Sequence, residues 1–293
     1  MSTMGTLDLG FGSLAGSVTW TVKGGRVLGP APFLVMGIVN VTPDSFSDGG
    51  RNFDPSAACA HALRMLEDGA AMIDVGGEST RPFADPVTEE EELRRVLPVV
   101  QAVLGSKPDA AVSVDTYKAR VAHESLEAGA LIVNDVSACA FEPQLKDVLA
   151  QHKPGYVLMH SLGKPATMQV EPAYGDVVAE IGRFFEEKLE MLVKAGLPED
   201  RIVLDPGIGF GKTLTHNLAI MRGLGSFLAF GRPVLMGLSN KSFLGGLLGL
   251  GVGERGPATQ VATALCHRRG ARIHRVHDAA GAVRALTLTE AIG

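Results

Sequence analysis

The sequence predicts an α/β fold, a (β/α)8 TIM barrel with a parallel eight-stranded core. Short apolar runs recur eight times along the chain, and stretches with helical periodicity separate them. The runs are apolar throughout rather than alternating, which is typical of parallel strands covered on both faces. A doubly wound open sheet is the alternative. A chain of 293 residues fits one barrel, and eight units in one chain favour closure.

The predicted strands are short and rich in Val, Ile, Leu and Met. They occupy residues 33–39, 71–75, 111–114, 131–133, 156–159, 202–204, 233–236 and 272–276. Helical patterns lie between them, among others at residues 55–68, 88–104, 118–128, 175–195 and 215–224. Gly69 and Gly129 stand where two of these helices end, as glycines at helix C-termini do.

The acidic run from Glu89 to Glu92 directly follows Thr88. Thr is a common N-cap, and carboxylates in the first turn interact favourably with the helix dipole. We therefore interpret the run as a solvated helix start rather than as a metal site.

The part of the chain before residue 33 differs from the rest. Residues 20–28 alternate around Gly24-Gly25, which indicates a hairpin. We predict two parts, an N-terminal extension with a hairpin that caps the barrel at residues 1–32 and the barrel itself at residues 33–293. No shift in composition marks a further domain.

Composition excludes several functional classes. The net charge of -5 gives no reason to expect nucleic acid as a partner. An apolar run of roughly 18 residues, which a membrane span needs, does not occur, and the N-terminus lacks a signal-peptide pattern. Cys59, Cys139 and Cys266 are far apart and form no CxxC pair. They predict reduced thiols in a cytoplasmic protein.

Polar residues follow almost every predicted strand, at the end where barrel enzymes carry their sites. Asp115, Asn134, Asp205 and Lys241 together would be costly to bury unless a polar ligand or mutual pairing satisfies them. Carboxylates and an amide suit a flat heterocycle rich in N–H and C=O groups. The cations that suit an anionic group at the rim are Arg81, Lys241, Arg275 and His277. For Thr116, Asp135 and Asp278, simple helix capping explains the pattern equally well.

The glycine-rich stretch at residues 207–213 is not a nucleotide fingerprint. A P-loop would need glycine at position 206, where this chain has Pro206. A GxGxxG motif would need glycine at position 212, where it has Lys212. We expect these glycines to let a loop fold tightly over the barrel mouth beside Asp205.

Eight motifs in order carry a specific resemblance. They are MGIVNVTPDSFSDGG (36–50), DVGGESTRP (74–82), SVDTYK (113–118), ND (134–135), MH (159–160), LDPGIGFGK (204–212), KSF (241–243) and RVHD (275–278). The chain thereby resembles the dihydropteroate synthases of folate biosynthesis over roughly residues 33–290. That family folds as a (β/α)8 barrel and joins 4-aminobenzoate to 7,8-dihydropterin-6-ylmethyl diphosphate, releasing diphosphate with the help of Mg²⁺.

The resemblance implies roles for individual residues. Asp115, Asn134, Asp205 and Lys241 would hold the pterin, and Asn40, Arg275 and His277 the diphosphate, with Asn40 also binding Mg²⁺. The aminobenzoate pocket would comprise Phe46, Thr80, Pro82, Phe210 and Ser242, and the residues closest to the chemistry would be Asp115, Lys241, Asp48 and Arg81. The resemblance also implies a homodimer.

Two positions depart from the family pattern. Asn240 stands where the family usually has Arg, and Ser161-Leu162 where it often has Met-Arg, so two rim cations are missing. Asn240 supports one alternative, a pterin-binding paralogue or subunit partner without activity. A pterin-dependent methyltransferase is disfavoured, because residues 41–50 and 79–86 match the synthases and no corrinoid-binding module follows.

Overall fold

The predicted barrel is confirmed. The computed structural model describes residues 16–42, 54–79, 84–164 and 167–293. Its strands are β1 Val18–Thr21, β2 Val27–Ala31, β3 Leu34–Asn40, β4 Met72–Gly76, β5 Val112–Asp115, β6 Ile132–Asp135, β7 Gly155–Met159, β8 Ile202–Asp205, β9 Leu235–Met236 and β10 Ile273–Val276. Strands β3 to β10 form one parallel sheet in the order β8-β7-β6-β5-β4-β3-β10-β9. A parallel bridge between Leu204 and Val234 brings its two edges together.

Helices follow the strands and cover the outside of the sheet. They are α1 Pro55–Glu67, α2 Glu89–Ser106, α3 Ala119–Glu127, α4 Leu145–His152, α5 Val177–Ala195, α6 Leu214–Arg222, α7 Gly225–Leu228, α8 Ser242–Leu248, α9 Gly256–Arg268 and α10 Ala279–Ile292. The five helices predicted by residue number are confirmed, with ends within two residues of the prediction. Strand β9 is shorter than predicted, since it begins at Leu235.

The predicted N-cap of α2 is confirmed, but its acidic turn is not fully solvated. The side chain of Thr88 accepts from the backbone N–H of Glu91 at 3.3 Å. Glu92, by contrast, is 1% exposed and pairs with Lys118. The sequence prediction was wrong for this residue, because the side chain one turn into the helix faces the strand ends and not water.

The lower half of the barrel interior is apolar. Met36, Met72, Ile132, Val203 and Ile273 pack there in one cluster with side chains of the N-terminal hairpin. Strands β1 and β2 of that hairpin pair antiparallel around the turn at residues 23–25. With this end filled by apolar side chains, polar groups gather at the other end of the strands.

The three cysteines are free and buried. In the part of the chain that the structure describes, no helix has both the length and the apolar character to cross a membrane. His123 of α3 and His152 of α4 contact each other, with 2.9 Å between Nδ1 and Nε2.

Candidate active site

The polar strand ends lie side by side because the strands pair in register. Asn40 at the end of β3 pairs with Gly76, Gly76 pairs with Asp115, and Asp115 pairs with Asn134. In a parallel sheet, paired residues stand at the same height and point to the same face. These residues of four neighbouring strands therefore lie side by side at the barrel mouth. Gly76 has no side chain and leaves room beside the Asp115 carboxylate.

Arg275 of β10 reaches across this level and joins two carboxylates. Its Nε donates to Oδ2 of Asp74 at 2.7 Å, and its Nη2 donates to Oδ2 of Asp115 at 2.6 Å. Asp74 Oδ2 also accepts from the Asn134 amide nitrogen at 2.8 Å. Asp74 is fully buried, and Asp115 and Asn134 are nearly so. Four side chains from four strands thus form one hydrogen-bonded group.

This group alters the protonation of its members. Burial raises the pKa of Asp115 to about 7, reinforced by Asp74 and opposed by Arg275. Burial works against the charge on Arg275, but Asp74 and Asp115 more than offset it and raise its pKa. The guanidinium therefore stays charged at any physiological pH.

Asp205 and Lys241 stand on the other side of the mouth. Oδ1 of Asp205 accepts from the backbone N–H of Gly207 at 2.7 Å, and burial raises the pKa of this carboxyl. Lys241 is half-buried, and this burial lowers its pKa to about 8 against the pull of Asp205. The Lys241 Nζ lies 4.2 Å from the centre of the Phe210 ring.

The glycine turn after β8 folds tightly against the end of β7. Gly207 has φ +69°, and a Cβ there would stand 1.9 Å from the carbonyl oxygen of His160. Only glycine tolerates this approach. Gln169 donates to the carbonyl of Gly209 at 2.6 Å and holds the turn from the side. The turn places Phe210 beneath Lys241. The glycines thus allow a tight loop at the barrel mouth, as expected from the sequence.

Lys212 closes the turn from inside the protein. Its Nζ lies 3.0 Å from Nδ1 of His160 and donates to the carbonyls of Phe210 at 2.9 Å and His160 at 3.2 Å. Burial lowers the pKa of Lys212 to about 7, and burial together with Lys212 lowers that of His160 to about 3. The neutral imidazole therefore acts as an acceptor for the lysine.

The rim is formed by the segments after β9 and β10. His277 is exposed, and its Nδ1 lies 2.9 Å from the hydroxyl of Ser239. Asn240 has φ +57°, a left-handed conformation that Asn tolerates better than most residues. Its carbonyl accepts from Arg255 at 3.0 Å. Ser242 begins α8 and is exposed.

A buried ionic cluster lies beside the mouth, at the ends of the segment 79–86. Lys118 donates to Glu78 at 2.7 Å and to the carbonyl of Val87 at 2.8 Å, and it also pairs with Glu92. Glu78 in turn accepts from the backbone N–H of Val87 at 3.0 Å. The cluster thus ties the residue that enters the segment to the residue that leaves it.

The structure brings together the predicted residues Asn40, Asp115, Asn134, Asp205, Phe210, Lys241 and Arg275 at the mouth, with Ser242 and His277 at its rim. Phe46, Asp48, Thr80, Arg81 and Pro82 lie outside the described residues. Asp74 and Lys212 were not predicted. Asp74 had a visible signal, because it stands at alternate spacing with Met72 and Gly76 on one face of an otherwise apolar strand.

The arrangement combines acceptors, donors and cations in a small volume. Carboxylates at Asp115 and Asp205 and the amide of Asn134 can recognise a heterocycle with several N–H groups. Arg275 and Lys241 can stabilise negative charge above it. The mouth therefore suits a polar flat ring joined to an anion.

Comparison with known proteins gives a consistent result. Residues 36–277 match the protein family described as "Pterin binding enzyme". The chain is 45% identical over 257 residues to the dihydropteroate synthase of Escherichia coli (strain K12), covering 88% of this chain and 90% of that protein. The Xanthomonas albilineans dihydropteroate synthase solved with 4-aminobenzoic acid superposes with a TM-score of 0.87 at 42% identity, over 94% of this chain and 98% of that one. The same enzyme in complex with 7,8-dihydropteroate gives a TM-score of 0.84 at 40% identity and the same coverage.

Proposed function

The chain belongs to the dihydropteroate synthase family, and from that premise we propose which of its residues hold each substrate. It is a transferase of folate biosynthesis that condenses 4-aminobenzoate with 7,8-dihydropterin-6-ylmethyl diphosphate and releases diphosphate. The observation that supports the assignment below is the convergence of Asp115, Asn134, Asp205, Lys241 and Arg275 at the barrel mouth.

The pterin ring binds among Asp115, Asn134, Asp205 and Lys241. Each of the four is held by backbone or side-chain contacts before any ligand arrives, which reduces the entropy lost on binding. The two carboxylates accept from ring N–H groups, while Lys241 donates to ring acceptors. The ammonium of Lys241 lies over the Phe210 ring.

The diphosphate binds at Asn40, Arg275 and His277. Arg275 is the strongest of these, since a guanidinium matches phosphate oxygens with two parallel N–H groups. A bound Mg²⁺ would neutralise the leaving diphosphate. Among the described residues no group of three or more His, Cys, Asp or Glu could hold a metal ion. Mg²⁺ bound mainly by substrate oxygens needs only one or two protein ligands, and the half-buried amide of Asn40 at the end of β3 suits that role.

The aminobenzoate pocket consists of Phe210 and Ser242 together with Phe46, Thr80 and Pro82. Phe210 is largely buried and offers an apolar face to a benzene ring. The segment 79–86, which carries Thr80 and Pro82, has its ends fixed by Lys118 and Glu78.

The chemistry follows from charge placement. The aniline nitrogen forms a bond to the methylene carbon as the bond from that carbon to the diphosphate oxygen breaks, and the nitrogen gives up one proton to solvent. Carboxylate charge at Asp115 stabilises the developing cation on the pterin methylene, and Arg275 stabilises the leaving group. We assign Asp48, Arg81 and Lys241 to the same step. No side chain needs to form a covalent intermediate.

The test is a diphosphate-release assay with both substrates, with Mg²⁺ present or removed by a chelator. We expect product only with both substrates and a clear loss of rate without Mg²⁺. Calorimetry on the same samples measures pterin binding. Pterin binding without any product under these conditions would favour the non-catalytic alternative.

The chain forms a homodimer through α9 and α10. Each helix carries two exposed apolar residues one turn apart, Val261 and Leu265 on α9 and Leu288 and Ile292 on α10, between 51% and 76% exposed. A second copy of the same face would cover them. Sedimentation should give a dimer mass for the wild type and a monomer mass for Val261→Glu/Leu265→Glu, and a monomeric wild type would disprove this.

The chain acts in the cytoplasm. It consists of an N-terminal extension at residues 1–32 and a barrel at residues 33–293, and the extension caps the barrel. Three free, buried cysteines support a reducing compartment. The packing of Trp20 and Leu28 with the apolar barrel floor supports the capping role. Removing residues 1–32 should lower the melting temperature without changing which substrates the enzyme accepts.

A further inference from the structure

Asp74 is a charged residue within an otherwise apolar strand. It lies in the middle of β4, between the apolar floor at Met72 and the mouth at Gly76. It is completely buried. Burying a carboxylate costs several kcal/mol unless it is well paired. A residue retained there at such a cost needs partners that offset it.

Both partners of Asp74 are residues of the substrate site. Its Oδ2 accepts from Asn134, assigned to the pterin, and from Arg275, assigned to the diphosphate. The other oxygen, Oδ1, has no hydrogen-bond partner among the described residues. Asp135 offers a contrast, because both of its oxygens are used, by Ser137, Cys139 and Tyr156. A carboxylate that only stabilised the core would be expected to resemble Asp135.

Asp74 fixes which edge of Arg275 faces the ligand. The guanidinium is a rigid planar fork. Its Nε is bound to Asp74 and its Nη2 to Asp115, so one edge of the fork is occupied by the two carboxylates. The outer edge, formed by Nη1 and the second hydrogen of Nη2, is the one that can bind two oxygens of a diphosphate at once.

Asp74 also fixes the orientation of the Asn134 amide. The amide nitrogen of Asn134 donates to Oδ2 of Asp74, so this end of the amide faces Asp74. The amide carbonyl then points away from Asp74 and offers an acceptor to an N–H of the ring. Without this contact the amide could rotate and present either atom.

We propose that Asp74 is a positioning residue that couples the pterin subsite to the diphosphate subsite, by holding Asn134 and Arg275 on a single oxygen atom. This proposal rests on the assignment of those two residues under the proposed function. Asp74 does not touch the reacting atoms. It makes the ring and the leaving group bind as one rigid unit, so its loss should weaken the binding of pterin diphosphate more than that of a pterin without diphosphate.

The test compares two ligands on Asp74→Asn by calorimetry, 6-hydroxymethyl-7,8-dihydropterin and its diphosphate. In the wild type the diphosphate should improve affinity strongly. In Asp74→Asn we expect that improvement to shrink at least tenfold, while KM for 4-aminobenzoate changes less than threefold. Asp135→Asn is the matched control, a buried aspartate with other partners. It should lower the melting temperature but keep the ratio of the two affinities.

Two further arms separate the possible outcomes. Asn134→Ala and Arg275→Ala alone test the assignments, and unchanged binding in both would overturn the proposed function and this inference with it. We expect Asn134→Ala and Arg275→Ala to bind pterin diphosphate more weakly. In that case the double variant Asp74→Asn/Arg275→Ala should bind it only slightly more weakly than Arg275→Ala alone. Additive effects, or an unchanged affinity ratio in folded Asp74→Asn, would overturn the coupling role alone. If Asp74→Asn does not fold, Asp74→Glu, which keeps the charge but shifts it by one methylene, carries the same comparison.

Discussion

The ammonium of Lys241 lies 4.2 Å from the centre of the Phe210 ring. A cation over an aromatic face is attracted by the ring, and here the ring also keeps water away from one side of the charge. The glycine turn after β8 supplies the ring, while the segment after β9 supplies the lysine. Two segments distant in the chain thus form one edge of the pterin site.

We expect Lys241→Met and Asp205→Asn to abolish detectable pterin binding while the protein stays folded. Both groups would contact the heterocycle in a buried site, where one unpaired polar group costs roughly 1–3 kcal/mol. Calorimetry with pterin diphosphate measures the effect, and circular dichroism checks the fold. Lys194→Met, at a residue with a 74% exposed side chain, is the matched control and should bind normally. Near-normal affinity in either folded site variant would show that the site is assigned wrongly.

The second prediction concerns the pH dependence of stability at Lys212. Burial lowers its pKa from 10.5 to about 7 in the folded protein. Between these values the unfolded chain holds a proton that the folded chain has lost, so stability rises with pH across this window and is unaffected by Lys212 below about 7. Urea unfolding of the wild type and Lys212→Met from pH 7 to 10 should give a steeper rise for the wild type, by at most about 1.4 kcal/mol per pH unit.

Lys194→Met serves again as the control for that comparison, since it removes a lysine with an exposed side chain. Its stability should follow the wild-type curve. Parallel curves for the wild type and Lys212→Met would mean that Lys212 remains protonated in the folded protein, and that its contacts with His160 and Phe210 hold a charged amine.

The third prediction is ordered binding, with 4-aminobenzoate following pterin diphosphate. Residues 41–48 and 79–86 are rich in Ser, Thr and Pro, as loops that close over substrates often are. Aminobenzoate titrated into protein alone should bind far more weakly than into protein with dihydropterin and diphosphate. Equal affinity in the two titrations would refute the order.

The last prediction concerns Asn240, where the family usually has Arg. Exposed charges contribute about 0–1 kcal/mol, so Asn240→Arg should change aminobenzoate affinity or turnover by no more than about tenfold. The left-handed backbone at Asn240 should make the Arg variant less stable by about 1 kcal/mol, whereas Asn240→Gly should keep the stability. Steady-state kinetics and thermal melts of both variants check this. An inactive wild type with turnover restored by Asn240→Arg would identify the chain as a non-catalytic relative.

The sequence alone determined the barrel and the ends of the strands that carry the site. Apolar runs and helical periodicity are local properties, and eight repeats in one chain leave few ways to bury them. The polar residues at the strand ends, such as Asp115, Asn134 and Asp205, could be identified for the same reason. A polar residue that directly follows an apolar strand interrupts a local pattern, so its position needs no knowledge of its partners.

Only the tertiary structure decided how those residues are paired. Asp74 meets Asn134 across 60 residues of sequence and Arg275 across 201, and Lys212 meets His160 across 52. Glu92 looked solvated beside Glu89 but is buried against Lys118. Pairing and burial depend on strand order, register and the direction of each side chain in the closed barrel, and these are set by the packing of the whole chain, because no single segment contains both partners of such a contact.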